Sequence, residues 1–229
     1  MGKALFITGT GTDVGKTYVT GLLVKRICDA GIKAAYYKAA MSGNERDEKG
    51  DLIPGDAKWV KDVSKMTQPL EETCPYIYET AVSPHLASRL EGNPVKLSEV
   101  VAEYEKVINK YDYVTVEGSG GILCPIDFDT EKIWLEDIVK TLDLDSIIIA
   151  DSGLGTINSV ALTYEYMKAK GLNVKGIIFN NWTGDVMQQD NLKMCEYMTG
   201  LKVLAKVSKG DESLDIDLDT LLSLYRERK

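Results

Sequence analysis

Short apolar runs alternate along this chain with longer segments whose apolar residues recur at helical spacing. Ala4-Leu5-Phe6-Ile7 is a strand-like run, and Val19, Leu22, Leu23 and Ile27 then mark one face of a helix that Gly31 closes. Lys33 to Tyr37 predicts a second strand ending at Lys38. Trp59, Val60 and Val63 suggest a short helix, Pro69 and Pro75 break the next stretch, and Ser83-Pro84-His85 opens another helical segment. Leu97 to Ile108 is helical in spacing, Tyr113 to Val116 is a buried strand, and Trp134 to Leu142 is helical again. Ser146-Ile147-Ile148-Ile149-Ala150 is the most apolar strand. A helix is predicted from about Asn158 to Lys170, a strand from Val174 to Phe179, and a helix to about Met198. A strand near Val203 and a helix from Leu218 to Arg228 complete the pattern.

Strands that alternate with helices and carry continuous apolar runs imply an α/β fold, a mostly parallel sheet covered by helices on both faces. No repeat or linker interrupts the pattern, so residues 1–229 read as a single domain. Ligands of such sheets bind beyond the carboxyl ends of the strands, which here carry Lys38, Glu117, Asp151 and Asn180. Residues 42–56 are polar and glycine-broken, and predict an exposed, mobile loop.

Composition narrows the function classes. The 229 residues, 44% apolar and 27% charged, suit a soluble globular protein. A net charge of −8 without a basic block argues against nucleic acid as partner. No run is long enough to span a membrane, and the chain enters its first strand without a signal-peptide pattern. Cys28, Cys74, Cys124 and Cys195 lie far apart, the pattern of reduced thiols in a cytoplasmic protein.

The first strand is followed by Gly9-Thr10-Gly11-Thr12-Asp13-Val14-Gly15-Lys16-Thr17. Strand, glycine-rich loop, then Gly-Lys-Thr opening a helix is the context of a P-loop, and it makes the fold expectation P-loop NTPase-like. Backbone N–H groups and the helix N-terminus would hold phosphate oxygens, Lys16 would reach the β- and γ-phosphates, and the Thr17 hydroxyl would bind Mg²⁺. The standard spacing requires glycine where Thr10 stands; Gly9 leaves five intervening residues before Gly15.

A nucleotide-bound Mg²⁺ takes one or two carboxylates besides phosphates and water. Asp151, after an apolar run, and Glu117, before Gly118-Ser119-Gly120-Gly121, both stand at predicted strand ends, and the pattern does not choose between them. Asp56 either completes the metal shell or caps the helix that follows. Lys38 at the phosphate edge is a candidate anion stabiliser. His85, the only histidine, reads as a helix-start residue and Cys124 as a packed thiol.

Several separated stretches together resemble the dethiobiotin synthetases, ATP-dependent carboxylases of biotin synthesis. They are Thr8-Gly9-Thr10 with Thr12 through Thr17, Tyr37-Lys38 with Ser42-Gly43, Ser83-Pro84-His85, Val116 through Gly121, Gly155-Thr156-Ile157-Asn158, and Asn180. They run in the family's order over about residues 4–182, and the long Gly9–Gly15 spacing is the family's own. The resemblance implies that 7,8-diaminononanoate takes up CO₂ as a carbamate, ATP phosphorylates it to a mixed anhydride, and the second amine closes the ring, giving dethiobiotin, ADP and phosphate. It assigns Thr17, Asp56 and Glu117 to Mg²⁺ and makes Lys38, with Lys16, the catalytic anion stabiliser. It places Thr12, Asp13, Val14, Gly15 and Lys16 around the phosphates. Further nucleotide contacts are implied at Tyr18, Gly118, Ser119, Gly120 and Asn181, with Asn180 on the adenine. Ser42 becomes a substrate contact, and Gly155, Thr156, Ile157 and Asn158 hold the substrate carboxylate. The helix bearing these last residues comes from the neighbouring subunit in the family, so a homodimer with shared sites is implied. Ala39, Asp13 and Val207-Ser208-Lys209-Gly210 depart from the family's usual proline, glutamate and Ile-Pro element.

Two other P-loop classes compete with this reading. A cobyrinic acid amide synthase needs a glutaminase domain, for which this chain has no room. A partitioning or septum-site ATPase, a nucleotide-switched dimer, carries an extra lysine early in the P-loop, where this chain reads Gly9-Thr10-Gly11-Thr12. Such a protein could lay its last helix on a membrane, but acidic Asp215, Asp217 and Asp219 disfavour contact with anionic lipid.

Overall fold

The computed structural model describes residues 2–227. At its centre lies β1 (Lys3–Gly9), whose alternate side chains serve two cores: Ala4 and Phe6 point to one layer, Leu5 and Ile7 to the other. The phosphate-loop region leads to α1 (Lys16–Cys28), then β2 (Ala34–Tyr37), a two-residue β3 (Ala40–Met41), and α2 (Gly55–Ser64). Next come β4 (Tyr76–Ile77), α3 (Pro84–Glu91), α4 (Leu97–Lys110) and the long β5 (Tyr113–Gly121). A hairpin of β6 (Pro125–Asp127) and β7 (Ile133–Trp134) precedes α5 (Leu135–Thr141), β8 (Ser146–Asp151), α6 (Thr156–Ala169) and β9 (Val174–Asn180). The chain closes with α7 (Val186–Thr199), β10 (Val203–Lys206), α8 (Leu218–Ser223) and β11 (Arg226–Glu227).

The main sheet runs β10-β9-β8-β1-β5-β2, all parallel, with β11 added antiparallel to the start of β1. β1 and α1 lead to β2 on the far side of β5; the chain then returns to β5 and crosses β1 to reach β8. Strand order therefore reverses around β1, and the carboxyl end beside such a reversal is where open α/β sheets hold ligands. α1 buries Val19, Leu22, Leu23 and Ile27 against the face carrying Leu5, Ile7, Tyr36 and Ile149. α4 and α5 bury Val100, Val107, Ile138 and Val139 against the opposite face. The expected sheet, covered on both faces, is what forms.

Four local expectations are corrected. β5 does not end at Val116 but continues to Gly121, because after a bulge Gly9 pairs with Gly121. Glycine is required inside that ladder: a Cβ on Gly118 would lie 2.7 Å from Leu135 and 2.8 Å from Phe6. α6 begins at Thr156, two residues before the predicted start, with Gly155 as its left-handed N-cap. The last helix stops at Ser223; the Tyr225 hydroxyl meets that of Thr115 at 2.7 Å, and Arg226–Glu227 pair with β1. Arg228 lies outside the described residues. Finally, the 42–56 segment is exposed over residues 45–51 yet pinned at its base, where buried Asn44 donates to the carbonyls of Met41 and Tyr78 and accepts from the N–H of Gly55. Among the described residues no helix is long and apolar enough to cross a membrane.

Candidate functional site

The loop after β1 delivers bare backbone to the start of α1. Gly15 is the N-cap of α1 at φ 83°, no side chain caps the helix, and its first turn holds no acid. The orphan N–H groups and the positive end of the helix dipole are thus left to an anion. A Cβ on Gly15 would stand 2.0 Å from Asn180 Nδ2, so glycine is needed both for the dihedral and for the close approach of β9. Asn180 is buried and its Nδ2 donates to the Val14 carbonyl at 3.1 Å, tying the end of β9 to the loop. Asp13 sits at φ 60°, with Thr12 and Asp13 exposed beside it.

Two lysines and two carboxylates converge beyond this loop. Lys16 is 8% exposed, and its Nζ donates to the Gly11 carbonyl at 2.9 Å. Burial, then the neighbouring Lys38 charge, lowers its pKa. Lys38, at the end of β2 and 6% exposed, donates to Asp56 Oδ2 at 2.7 Å and to Glu117 Oε1 at 2.9 Å. Burial opposes its charge, but Glu117 and Asp56 outweigh burial and raise its pKa above the usual lysine value. Burial likewise pushes the Asp56 carboxyl up, and Lys38, with Thr17 and Lys16, brings it net below the ordinary range. Asp56 lies in the first turn of α2, after the N-cap Pro54, and caps nothing. Glu117, 2% exposed, also accepts the Thr17 hydroxyl at 2.9 Å on Oε1, while its Oε2 has no partner.

Asp151 takes no part in this cluster. Its Oδ1 accepts the N–H of Gly153 at 2.7 Å and its Oδ2 the amide of Asn181 at 2.6 Å, so it braces the turn after β8. Of the two carboxylates left open by pattern, the structure brings Glu117 to Thr17.

Two adjoining cavities open over the cluster. One, of about 320 Å³, is lined by Gly15, Lys16, Thr17, Tyr18 and Glu117; the other, of about 680 Å³, by Ser119 and Cys124. Both include Thr12, Asp13, Lys38, Ser42, Asp56 and Gly120. Ser42 Oγ donates to the Val82 carbonyl at 2.5 Å and Ser119 Oγ to that of Ala40 at 2.9 Å. Gly118 is buried in β5 beneath them. The Tyr18 hydroxyl donates to the Asp211 carbonyl at 2.5 Å. Gly155, Thr156, Ile157 and Asn158 line neither cavity. They start α6 with no side-chain cap, and the Thr156 hydroxyl is buried without a partner. His85 faces Ser83, 3.0 Å away, and stays out of both cavities.

Pattern reading missed four contributors. Asn44 fixes the start of α2, and hence Asp56, through contacts visible only once β4 is in place. Ala81 and Val82 wall the larger cavity, signalled only by the Ser83-Pro84 helix start beside them. Tyr36 lies buried beneath Glu117 in the strand run, where a tyrosine reads as ordinary core.

An uncapped glycine loop before a helix, a lysine within it, and a hydroxyl paired to a buried carboxylate define a P-loop protein that handles nucleoside triphosphates. A family model described as an AAA domain matches residues 3–214. An ATP-dependent dethiobiotin synthetase of Brachyspira hyodysenteriae is 49% identical over 217 residues, 94% of this chain and 96% of its own. Another, of Clostridium botulinum strain Langeland, is 42% identical over 228 residues, covering 99% of this chain and 100% of its own. The chain belongs to the ATP-dependent dethiobiotin synthetase family. Among solved structures, the MinC:MinD cell division complex of Aquifex aeolicus matches with a TM-score of 0.56 at 13% identity, over 92% of this chain and 83% of that one. A ParA family ATPase of Chlorobium tepidum matches with a TM-score of 0.54 at 13% identity, over 97% and 88%. That likeness is one of fold alone, and the switch-ATPase alternative has no more than this fold relationship behind it.

Proposed function

We propose that this chain closes the ureido ring of dethiobiotin from 7,8-diaminononanoate, CO₂ and ATP, by the carbamate and carbamic-phosphoric anhydride route. The observation that carries the reading is Lys38, held between Asp56 and Glu117 where the two cavities meet. Carbamate and γ-phosphate are both anions and repel. Lys16 from the phosphate side and Lys38 from the substrate side supply fixed positive charge where that repulsion peaks. The charge-raised pKa of Lys38 keeps it cationic at neutral pH, so it acts as a stabiliser and not as a base. Thr12 through Thr17 hold the phosphates, with Tyr18, Gly118, Ser119, Gly120, Asn180 and Asn181 completing the nucleotide side. Ser42 contacts the diamine. Its two amines, held near one carbon, gain the proximity advantage of an intramolecular reaction.

The donor set suits Mg²⁺. Thr17, Asp56 and Glu117 offer hard oxygens, and both carboxylates already face a cation, the Lys38 ammonium. No group of three or more His, Cys, Asp or Glu side chains fit to hold a metal occurs among the described residues, so the phosphates would have to complete the shell. Bound there, Mg²⁺ would neutralise phosphate charge.

The dimer reading rests on two observations. Gly155 to Asn158 lie off the cavities of their own subunit, with α6 uncapped for an anion. Leu154, Leu162, Val186 and Tyr197, on α6, α7 and the turn before α6, are 92%, 64%, 85% and 84% exposed, an apolar display that suits burial against a second copy. A homodimer would bring these residues to a neighbour's substrate. The four free cysteines agree with a cytoplasmic enzyme.

The test is ADP release from Mg²⁺-ATP and bicarbonate, with and without the diamine, while dethiobiotin is followed by mass. Diamine-dependent release with one product per ADP is expected. Hydrolysis indifferent to the diamine would sink the synthetase reading.

A further inference from the structure

Two buried oxygens beneath the nucleotide cavity lack a hydrogen bond: Glu117 Oε2 and the hydroxyl of Tyr36. Tyr36 is wholly buried on β2, two residues before Lys38. In the β2–β5 register it stands opposite Thr115, so Glu117 lies one pleat further along the same face. Thr115 is already engaged with Tyr225. Glu117 Oε1 is crowded, receiving both the Thr17 hydroxyl and the Lys38 ammonium. After burial, the Glu117 charge is the leading cause raising the Tyr36 pKa, as expected of a carboxylate close to the phenol. A phenol donates and a carboxylate only accepts, and an unmade bond between two buried groups of this kind is costly.

We propose that Tyr36 is a positioning residue for the metal ligand: its O–H donates to Glu117 Oε2 when a divalent cation is bound, fixing the carboxylate with Oε1 toward that cation. The proposal rests on the reading of Glu117 as a metal ligand. In this structure Thr17 and Lys38 hold the carboxylate by Oε1 alone. A cation that draws Oε1 away from Lys38 removes part of that restraint, and a donor behind the other oxygen restores it. Outer hydrogen-bond partners of metal ligands orient them in this way.

Tyr36→Phe deletes only the hydroxyl. With the full chain, binding of ADP is titrated with and without Mg²⁺, and the melting temperature of the ligand-free protein is recorded. The Mg²⁺ concentration that half-saturates the gain in ADP affinity is expected to rise about tenfold. ADP affinity in EDTA should be unchanged, and the ligand-free melting temperature unchanged or higher, because the deleted group had no partner. An unaltered Mg²⁺ requirement would overturn the proposal. A raised requirement accompanied by a lower ligand-free melting temperature would overturn it too, since packing would then be the cause. Glu117→Gln separates the two readings. If it keeps wild-type Mg²⁺ coupling, the ligand assignment itself fails; if it loses coupling while Tyr36→Phe keeps it, only the tyrosine proposal fails. A crystal structure of the wild-type protein with Mg²⁺-ADP gives an answer independent of any variant. A Tyr36 hydroxyl bonded to Glu117 Oε2 supports the proposal, and one bonded elsewhere or to nothing overturns it.

Discussion

Lys38 joins groups that lie far apart in the chain: Asp56 is 18 residues away and Glu117 79. Its place at a strand end was legible, because a charged residue closing an apolar run has to emerge at the sheet's edge. Its double ion pair was not, since that depends on α2 returning over β2. The same holds for Asn44 and Tyr36, whose roles come wholly from tertiary neighbours. The pairing has an energetic consequence. Side-chain exposure is 7% for Lys38 and 0% for Glu117, so removing the ammonium leaves a buried carboxylate without its cation. Breaking one partner of a buried pair costs about 3–5 kcal/mol. Lys38→Met, which keeps much of the volume, is expected to lower the ligand-free melting temperature markedly and turnover at least about 100-fold. Mg²⁺-ADP should restore much of the lost stability by supplying another cation to Glu117 and Asp56. Thermal melts with and without Mg²⁺-ADP check this. A variant as stable as wild type without ligand would mean that the pair contributes little.

At the scale of elements, periodicity located nearly every strand and helix of the main sheet but misjudged ends. Ends depend on what the next element does: β5 runs on because Gly9 keeps it paired, and the final helix stops because Tyr225 is taken by Thr115. The junction of the phosphate loop, α1 and β9 was half legible. Glycine before Lys16 was expected to turn tightly; that the amide of Asn180 would sit against it was not. Comparing two glycines separates these demands. Gly15 and Gly31 have φ of 83° and 77°, but a Cβ on Gly31 meets nothing within 4 Å. Gly31→Ala should lose only the left-handed penalty, about 1–2 kcal/mol, and bind ATP normally. Gly15→Ala should lose that and, by displacing Asn180, weaken ATP binding by about tenfold or more, roughly the effect of one lost hydrogen bond with its strain. Melting curves and calorimetric ATP titrations of both variants check the contrast. Equal ATP affinity in the two would remove Asn180 from the nucleotide site.

For the whole molecule, the sheet order was beyond the reach of pattern alone, yet the collection of strand-end residues on one edge followed from parallel strands. At this scale the proposed carboxylate-binding residues, Gly155 to Asn158, stand away from the cavity that holds Lys38. If each site draws its anion lysine from one protomer and its carboxylate-binding helix from the other, a mixture of defects can cure itself. In a dimer of one Lys38→Ala chain and one Asn158→Ala chain, one site carries both lesions and the other carries neither. Random exchange makes about half the dimers mixed, each with one intact site of two, so about a quarter of wild-type activity should return from two nearly inactive parents. The activity should rise with the time allowed for subunit exchange, and should not appear when the two proteins are assayed before mixing. With sites confined to one protomer, every site in every combination keeps one lesion, and no activity returns. Because Lys38 lies away from α6 and α7, and Asn158 adds no apolar side chain to their exposed face, dimer formation itself should survive. Size-exclusion chromatography of each parent checks that condition before the exchange begins.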